Sequence, residues 1–219
     1  MNIDIQKILL MIVPLIFAIT IHEAAHAYAA KHFGDNTAAK LGRLTFNPIA
    51  HIDPIGTIVV PLIIFIGSSA AGESAFLFGW AKPVPIVPSN FRNIRLGVRI
   101  TALAGPLSNL AMMFAWTILI FFLSKFDSNN ITNQLIYISF YGISINAALF
   151  VINMIPVLPL DGGRVLDSFL PAKYSIKFNK IEPYGIFIVL VLFLTGLMSI
   201  ILEPIMEFFL SICLHMLKI

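Results

Sequence analysis

Residues 8–20 form an apolar run without one charge, and the run leads directly into His22-Glu23-Ala24-Ala25-His26. Extended to residue 30, it has the length of a membrane helix, which needs about 20 apolar residues. Two imidazoles and a carboxylate inside such a helix are costly unless they pair or ligate, so this stretch constrains the fold more than any other. On a helix, positions four apart share a face, and His22 and His26 can direct their rings at one Zn²⁺ ion. Glu23, the next residue along, can sit beside the metal and take a proton from metal-bound water. In a soluble helix the same pattern recurs by chance; the apolar setting is what argues for a metal.

Composition agrees with a membrane setting. The chain is 58% hydrophobic and 11% charged, with a mean hydropathy of +0.92, against about 25% charged residues in a soluble domain. This predicts an integral membrane protein lying almost wholly in the bilayer, with one domain over residues 1–219. The net charge of +3 comes from Lys and Arg in loops between apolar runs. It reports orientation and excludes nucleic acid as a partner. Cys213 is the only cysteine, which excludes an internal disulfide and a cysteine-built metal site. Ala25-His26-Ala27 imitates a signal-peptidase site, but only Lys7, offset by Asp4, precedes the apolar run, and cleavage would destroy the histidine pair.

Five longer apolar runs follow one another: 8–30, 57–71, 96–123, 134–156 and 184–201, with a shorter segment after Pro204 reaching Leu217. Between the first two, Lys40–Phe46 alternates weakly and reads as a short strand or hairpin. The run 57–71 is short and carries Pro61 and Gly67. The fourth run ends in Pro156 and Pro159, which cannot continue a regular helix, so this end is expected to be unwound. The expected fold is an all-α polytopic membrane protein. It has about five to six membrane helices, a re-entrant segment and a small membrane-associated β-hairpin.

Two histidines leave a zinc site short of one protein ligand, and three residues compete. His32 has the spacing of the HExxHxxGxxH pattern, but Ala29 stands where a turning glycine is needed, and on a continuing helix His32 points about 80° away from His22. Glu73 is a downstream carboxylate with no helical motif to aim it. Asp161 follows the two prolines and precedes Gly162-Gly163, on backbone that a buried metal site tolerates; a helix N-cap is its alternative role.

His22-Glu23-Ala24-Ala25-His26, Ala104-Gly105-Pro106-Leu107-Ser108-Asn109 and Asn153…Pro156…Pro159-Leu160-Asp161-Gly162-Gly163-Arg164 together resemble the site-2 protease family of intramembrane zinc metalloproteases. Asn47-Pro48…His51-Ile52-Asp53-Pro54-Ile55-Gly56 is similar to a further signature of one bacterial branch. The resemblance covers residues 15–170. It implies that His22, His26 and Asp161 hold one Zn²⁺ per chain, and that Glu23 is general base and then acid. It also implies that Asn153 helps bind substrate or stabilise the oxyanion. Gly105 and Pro106 are expected to allow close helix packing. His51 is a loop histidine that could reach substrate. Many relatives carry a PDZ or CBS domain; this chain has room for neither, so a regulatory sensor is expected from a partner.

The ligand positions also predict topology. His22 lies about 21 Å along the first helix from Ile8, at 1.5 Å per residue, so the metal is nearer that helix's C-terminal end. Asp161 sits at the end of the fourth run, so the two helices must run parallel with an odd number of spans between them. The run 57–71 is therefore expected to dip and return. Eleven of the fourteen Lys and Arg residues then share one face: Lys31, Lys40, Arg43, Lys82, Arg92, Arg95, Arg99, Arg164, Lys173, Lys177 and Lys180. By the positive-inside rule that face, with the metal near it, is cytoplasmic, as in the inner membrane of a bacterial cell. The implied reaction is hydrolysis of a peptide bond in a substrate's membrane helix, with the stretch Lys40–Phe46 pairing with the unwound substrate. A zinc transporter or channel using the same ligands is the alternative. It is weakened by the scarcity of polar residues in the third and fifth runs.

Overall fold

A computed structural model describes residues 5–59 and 82–217. The first helix, α1 (Ile5–His32), has 28 residues and at 1.5 Å per residue is about 42 Å long, ample to cross about 30 Å of hydrocarbon. It stops at Gly34, whose φ of +114° suits glycine. The Asp35 N–H bonds the Ala30 carbonyl at 2.9 Å and the Gly34 N–H bonds that of Lys31 at 3.0 Å, the paired closure that ends many helices.

The strand or hairpin expected over Lys40–Phe46 does not form, and among the described residues there is no strand. Ala38 and Ala39 favour a helical turn, giving α2 (Thr37–Lys40). Gly42, at φ +67°, closes it as Gly34 closes α1, with Arg43 N–H to the Ala38 carbonyl at 2.8 Å and Gly42 N–H to that of Ala39 at 3.1 Å. Leu44 then packs on Ala27, Ala38 and Val84, a small apolar cluster over the end of α1.

The expected re-entrant run 57–71 lies, from residue 60 onward, outside the described residues; Pro54–Val59, which lead into it, form a π-helical turn. Both flanks of the undescribed stretch meet at the same end of α1. Lys82 N–H bonds the His51 carbonyl at 3.0 Å, Val87 N–H bonds Asp35 at 2.7 Å, and Arg92 N–H bonds the Phe33 carbonyl at 3.0 Å. After Arg92 the chain enters α3 (Ile94–Leu123), capped by Asn93, and then α4 (Asn130–Asn153), capped by Asn129. Each cap side chain accepts an orphan N–H of the first turn, at about 1 kcal/mol.

The relative directions of the helices follow from their contacts. From Ala18 to His26 along α1, the bonded partners on α3 run backwards from Asn109 to Thr101. From Asn109 to Trp116 on α3, the neighbours on α4 run backwards from Asn146 to Gly142. Hence α3 is antiparallel to both, and α1 and α4 are parallel, as the ligand argument requires. The central helix, α3, also packs on α5 (Asp161–Phe169) and α8 (Leu197–Leu217). Met113 and Ile120 of α3, Ile143 and Ala147 of α4 and Cys213 of α8 form the main core. Phe17, Phe122 and Ile200 stay exposed on the outer faces, as residues that meet lipid do.

Two short helices, α6 (Ala172–Asn179) and α7 (Gly185–Leu194), connect α5 to α8. The expected division of this region into 184–201 and a segment after Pro204 is corrected. The break falls at Gly196, with φ +73°, and α8 continues through Pro204. Ten residues of α7 cover only about 15 Å, half the hydrocarbon core. Among the described residues four helices are long and apolar enough to cross a membrane: Leu10–His32, Ile94–Leu123, Asn130–Asn153 and Leu197–Leu217. The chain is an integral membrane protein.

Asp35 ties this cap together. Its buried carboxylate accepts bonds from Asn90 Nδ2, the Thr37 hydroxyl and the backbone N–H groups of Val87 and Thr37. Burial alone would raise its pKa; these donors outweigh burial and hold it below the usual carboxylate range. The stabilisation is therefore complete above the unfolded pKa of about 3.9 and is lost as pH falls through the lower folded value. Asp35→Ala, which orphans several donors, should cost about 2–3 kcal/mol. Melting of the detergent-solubilised protein from pH 7 to pH 3 should show a steeper acid loss in wild type than in Asp35→Asn.

Candidate metal centre

Two turns near the end of α1 carry His22 and His26, both buried, with their Nε2 atoms 3.0 Å apart. Asp161 comes to them from a different element than expected. Helix α4 stops at Asn153, and residues 154–160, with Pro156 and Pro159, are not helical. Asp161 is the first residue of α5, with Leu160 as its N-cap. It thus sits at the start of a new short helix after the unwound stretch, not on the end of α4 and not as an N-cap. Gly162 makes this possible, because a Cβ there would lie 2.3 Å from the Met154 carbonyl oxygen. Ile155, Val157 and Leu160 anchor the unwound stretch on Val189 and Met198.

Asp161 Oδ2 lies 3.2 Å from His22 Nε2 and 3.3 Å from His26 Nε2. That oxygen is buried and, among the described residues, has no hydrogen-bond partner. His26 Nδ1 is 2.7 Å from the Thr101 carbonyl. A carbonyl can only accept, so Nδ1 bears a proton, and in the neutral ring Nε2 keeps its lone pair. His22 Nδ1 meets Asn109 Oδ1 at 2.6 Å. Three lone-pair atoms thus face one another in a buried place, an arrangement that a cation stabilises and that repels without one. Their separations fit zinc: bonds of about 2.0–2.1 Å in a tetrahedron put ligand atoms about 3.4 Å apart. Among the described residues, His22, His26 and Asp161 are the one group of His, Cys, Asp or Glu so placed.

Gly105 gains a role that close packing alone did not suggest. A Cβ on it would stand 2.3 Å from His26 Nε2 and 2.6 Å from His22 Nε2, in the space where the three ligand atoms converge. Glu23 is half-buried beside the pair, and its Oε2 accepts the Val84 N–H at 2.7 Å. Val84 belongs to residues 82–87, a segment without regular structure held by Arg43, which donates to the Lys82 carbonyl at 2.6 Å.

The other candidates lie elsewhere. His32 is exposed against Phe33, and Glu73 falls outside the described residues. Asn153 is placed at the last turn of α4, where its Nδ2 donates to the Leu149 carbonyl of its own helix at 2.9 Å. His51 is buried, its Nε2 donating to the Thr45 carbonyl at 2.9 Å. Sequence reasoning missed Thr101 and Val84, and quoted Asn109 in the Ala104–Asn109 motif without giving it a role. Asn109 was detectable: a carboxamide in an apolar run, four residues after Gly105 on the same helix face.

Residues 123–196 match the family described as Peptidase family M50. The chain is 38% identical over 201 residues to "Putative zinc metalloprotease YwhC" of Bacillus subtilis, covering 90% of this chain and 85% of that protein. It is 26% identical to "Putative zinc metalloprotease Rip2" of Mycolicibacterium smegmatis, over 85% of this chain and 67% of the relative. Against "Zinc metalloprotease MJ0392" of Methanocaldococcus jannaschii it is 28% identical, over 84% of this chain and 42% of the relative. No solved structure matches the chain. A membrane-embedded HExxH helix with a distant carboxylate defines a membrane metalloprotease. The chain belongs to peptidase family M50, the site-2 protease family. It is a zinc metalloprotease, and zinc is its cofactor. These relatives all bear protease names, and the transporter reading draws no support from them.

Gly105→Ala puts a methyl group against both imidazoles. Zinc analysis of the purified variant should show metal content falling to a small fraction of wild type, with helicity by circular dichroism retained.

Proposed function

We propose that this chain hydrolyses peptide bonds in or near membrane helices of substrate proteins. In this reading His22, His26 and Asp161 hold one zinc ion, and Glu23 is general base and then acid. The observation that carries it is the meeting of three potential ligand atoms from α1 and α5, with the Glu23 carboxylate one residue from the first of them. When bound, zinc polarises the scissile carbonyl and lowers the pKa of a water ligand toward about 7. Glu23 takes a proton from the attacking water and returns it to the leaving amide nitrogen as the C–N bond breaks. The Val84 N–H on Oε2 fixes the carboxylate and leaves Oε1 for the water. A helical substrate hides its carbonyl, so it must unwind to reach this site. The pairing strand expected at Lys40–Phe46 is absent, and that part of the reading is dropped. Asn153 keeps the substrate-contact role implied by the resemblance, which requires its amide to leave the Leu149 carbonyl.

We read residues 1–219 as one domain in a bacterial cell membrane, with the metal nearer the cytoplasmic face and residues 57–71 as a re-entrant segment. Support comes from the charge asymmetry, since this topology gathers eleven of the fourteen Lys and Arg residues on one face, and from the Arg92–Phe33 bond, which brings the chain back to the end of α1. Arg99 near the start of α3 bonds Ser168 near the end of α5 at 3.2 Å, which ties α5 to that part of α3.

Tagged single-pass proteins co-expressed with wild type should yield a cleavage product that disappears with Glu23→Gln, while Glu23→Gln keeps about one zinc per chain. Asp161→Ala should lose zinc. Wild-type cleavage by Glu23→Gln would overturn the mechanism. For topology, single cysteines in a Cys213→Ser background should be probed with an impermeant thiol reagent in intact cells. Ser128→Cys should label from outside, and Asn36→Cys and Ser89→Cys only after permeabilisation. Opposite sidedness of positions 36 and 89 would sink the re-entrant reading.

A further inference from the structure

Behind His22 lies a chain of amides that the hydrolytic mechanism does not use. Asn109 on α3 and Asn146 on α4 are both fully buried, at 0% exposure. Asn109 Oδ1 meets His22 Nδ1 at 2.6 Å, and Asn109 Nδ2 reaches the Ala18 carbonyl at 3.3 Å and Asn146 Oδ1 at 3.0 Å. Asn146 Nδ2 reaches the Gly142 carbonyl at 2.8 Å.

The direction of every bond is forced. Backbone carbonyls only accept, so the amide nitrogens of Asn146 and Asn109 must face Gly142 and Ala18. That turns Asn146 Oδ1 toward Asn109 Nδ2, and Asn109 Oδ1 toward the imidazole. A carboxamide oxygen also only accepts, so the proton of His22 is held on Nδ1 and the Nε2 lone pair is turned to His26 and Asp161. The other tautomer would put a proton among the three ligand atoms. We propose that Asn109 and Asn146 are positioning residues for zinc: Asn109 sets the tautomer and ring angle of His22, and Asn146 sets the amide of Asn109. The proposal rests on the reading of His22 as a ligand. Partners of this kind behind a metal-binding imidazole typically change metal affinity by about 10–100-fold.

A bond that merely packs α3 on α4 would contribute to stability and leave the metal alone. Asn146 separates the two roles, because among the described residues its side-chain hydrogen bonds reach only Asn109 and the Gly142 carbonyl. Full-length protein in detergent should be stripped of metal, its melting measured, and its zinc affinity determined by chelator competition. The variants are Asn109→Ala, Asn146→Ala, the double variant and His22→Ala. Asn109→Ala should bind zinc about 10–100-fold more weakly, and Asn146→Ala about tenfold more weakly. The double variant should be no weaker than Asn109→Ala, since Asn146 acts through Asn109. Asn146→Ala with wild-type zinc affinity, or with the same loss in the Asn109→Ala background, overturns the relay. Should Asn109→Ala fail to fold, Asn146→Ala against wild type decides alone. Unchanged zinc affinity in His22→Ala would instead refute the ligand reading. Loss of zinc in His22→Ala, with none in either asparagine variant, refutes the relay only.

Discussion

Three lone pairs brought together away from water are the constraint on which the rest of this structure depends. His22 and His26 share a helix face, and Asp161 meets them from a separate element within 3.3 Å. Such a cluster is unfavourable in a low-dielectric interior until a cation joins it, so the surrounding fold must hold it closed. The stops at Pro156 and Pro159, the close approach at Gly162 and the anchoring of Ile155 on α7 and α8 all serve to deliver one carboxylate oxygen. Gly105 keeps the space clear.

The central helix does more than pack. One stretch of α3 supplies the Thr101 carbonyl to His26, the bare Cα of Gly105 to the metal space, and the Asn109 amide to His22. These residues are spaced by four, so they lie on one face and meet α1 over the same two turns that carry the histidines. Pro106, just beyond Gly105, cannot donate to the Ala102 carbonyl and loosens the helix there. Helices in lipid gain little from burying apolar surface against one another. Hydrogen bonds from buried asparagines and close contacts at glycine are therefore what set the helix register.

At the end of α1, a cap of irregular chain is tied together by carboxylates. Asp35 gathers donors from both sides of the cap, and the Val84 amide reaches into the site to hold Glu23. The Glu23 carboxylate is thus held by a backbone amide more than sixty residues away.

The membrane class, the extents of α1 and α3 and the histidine pair were legible in the sequence, because each depends on local chemistry: long charge-free runs and a spacing of four. The parallel course of α1 and α4 was legible too, since residues expected to share one metal must lie at one depth. The alternation at Lys40–Phe46 misled because it ignored the closing effect of Gly42, which terminates a helical turn before any strand can start. Pro204 misled in α8, where a membrane helix tolerates a proline that would end a soluble one. What only the tertiary structure decided is the set of contacts between distant residues: the start of a new helix that carries Asp161 to the histidines, Val84 on Glu23, and Asn109 with Asn146 behind His22. Those depend on which helix faces meet and at what register. No single segment holds that information, because the meeting residues are up to 139 positions apart.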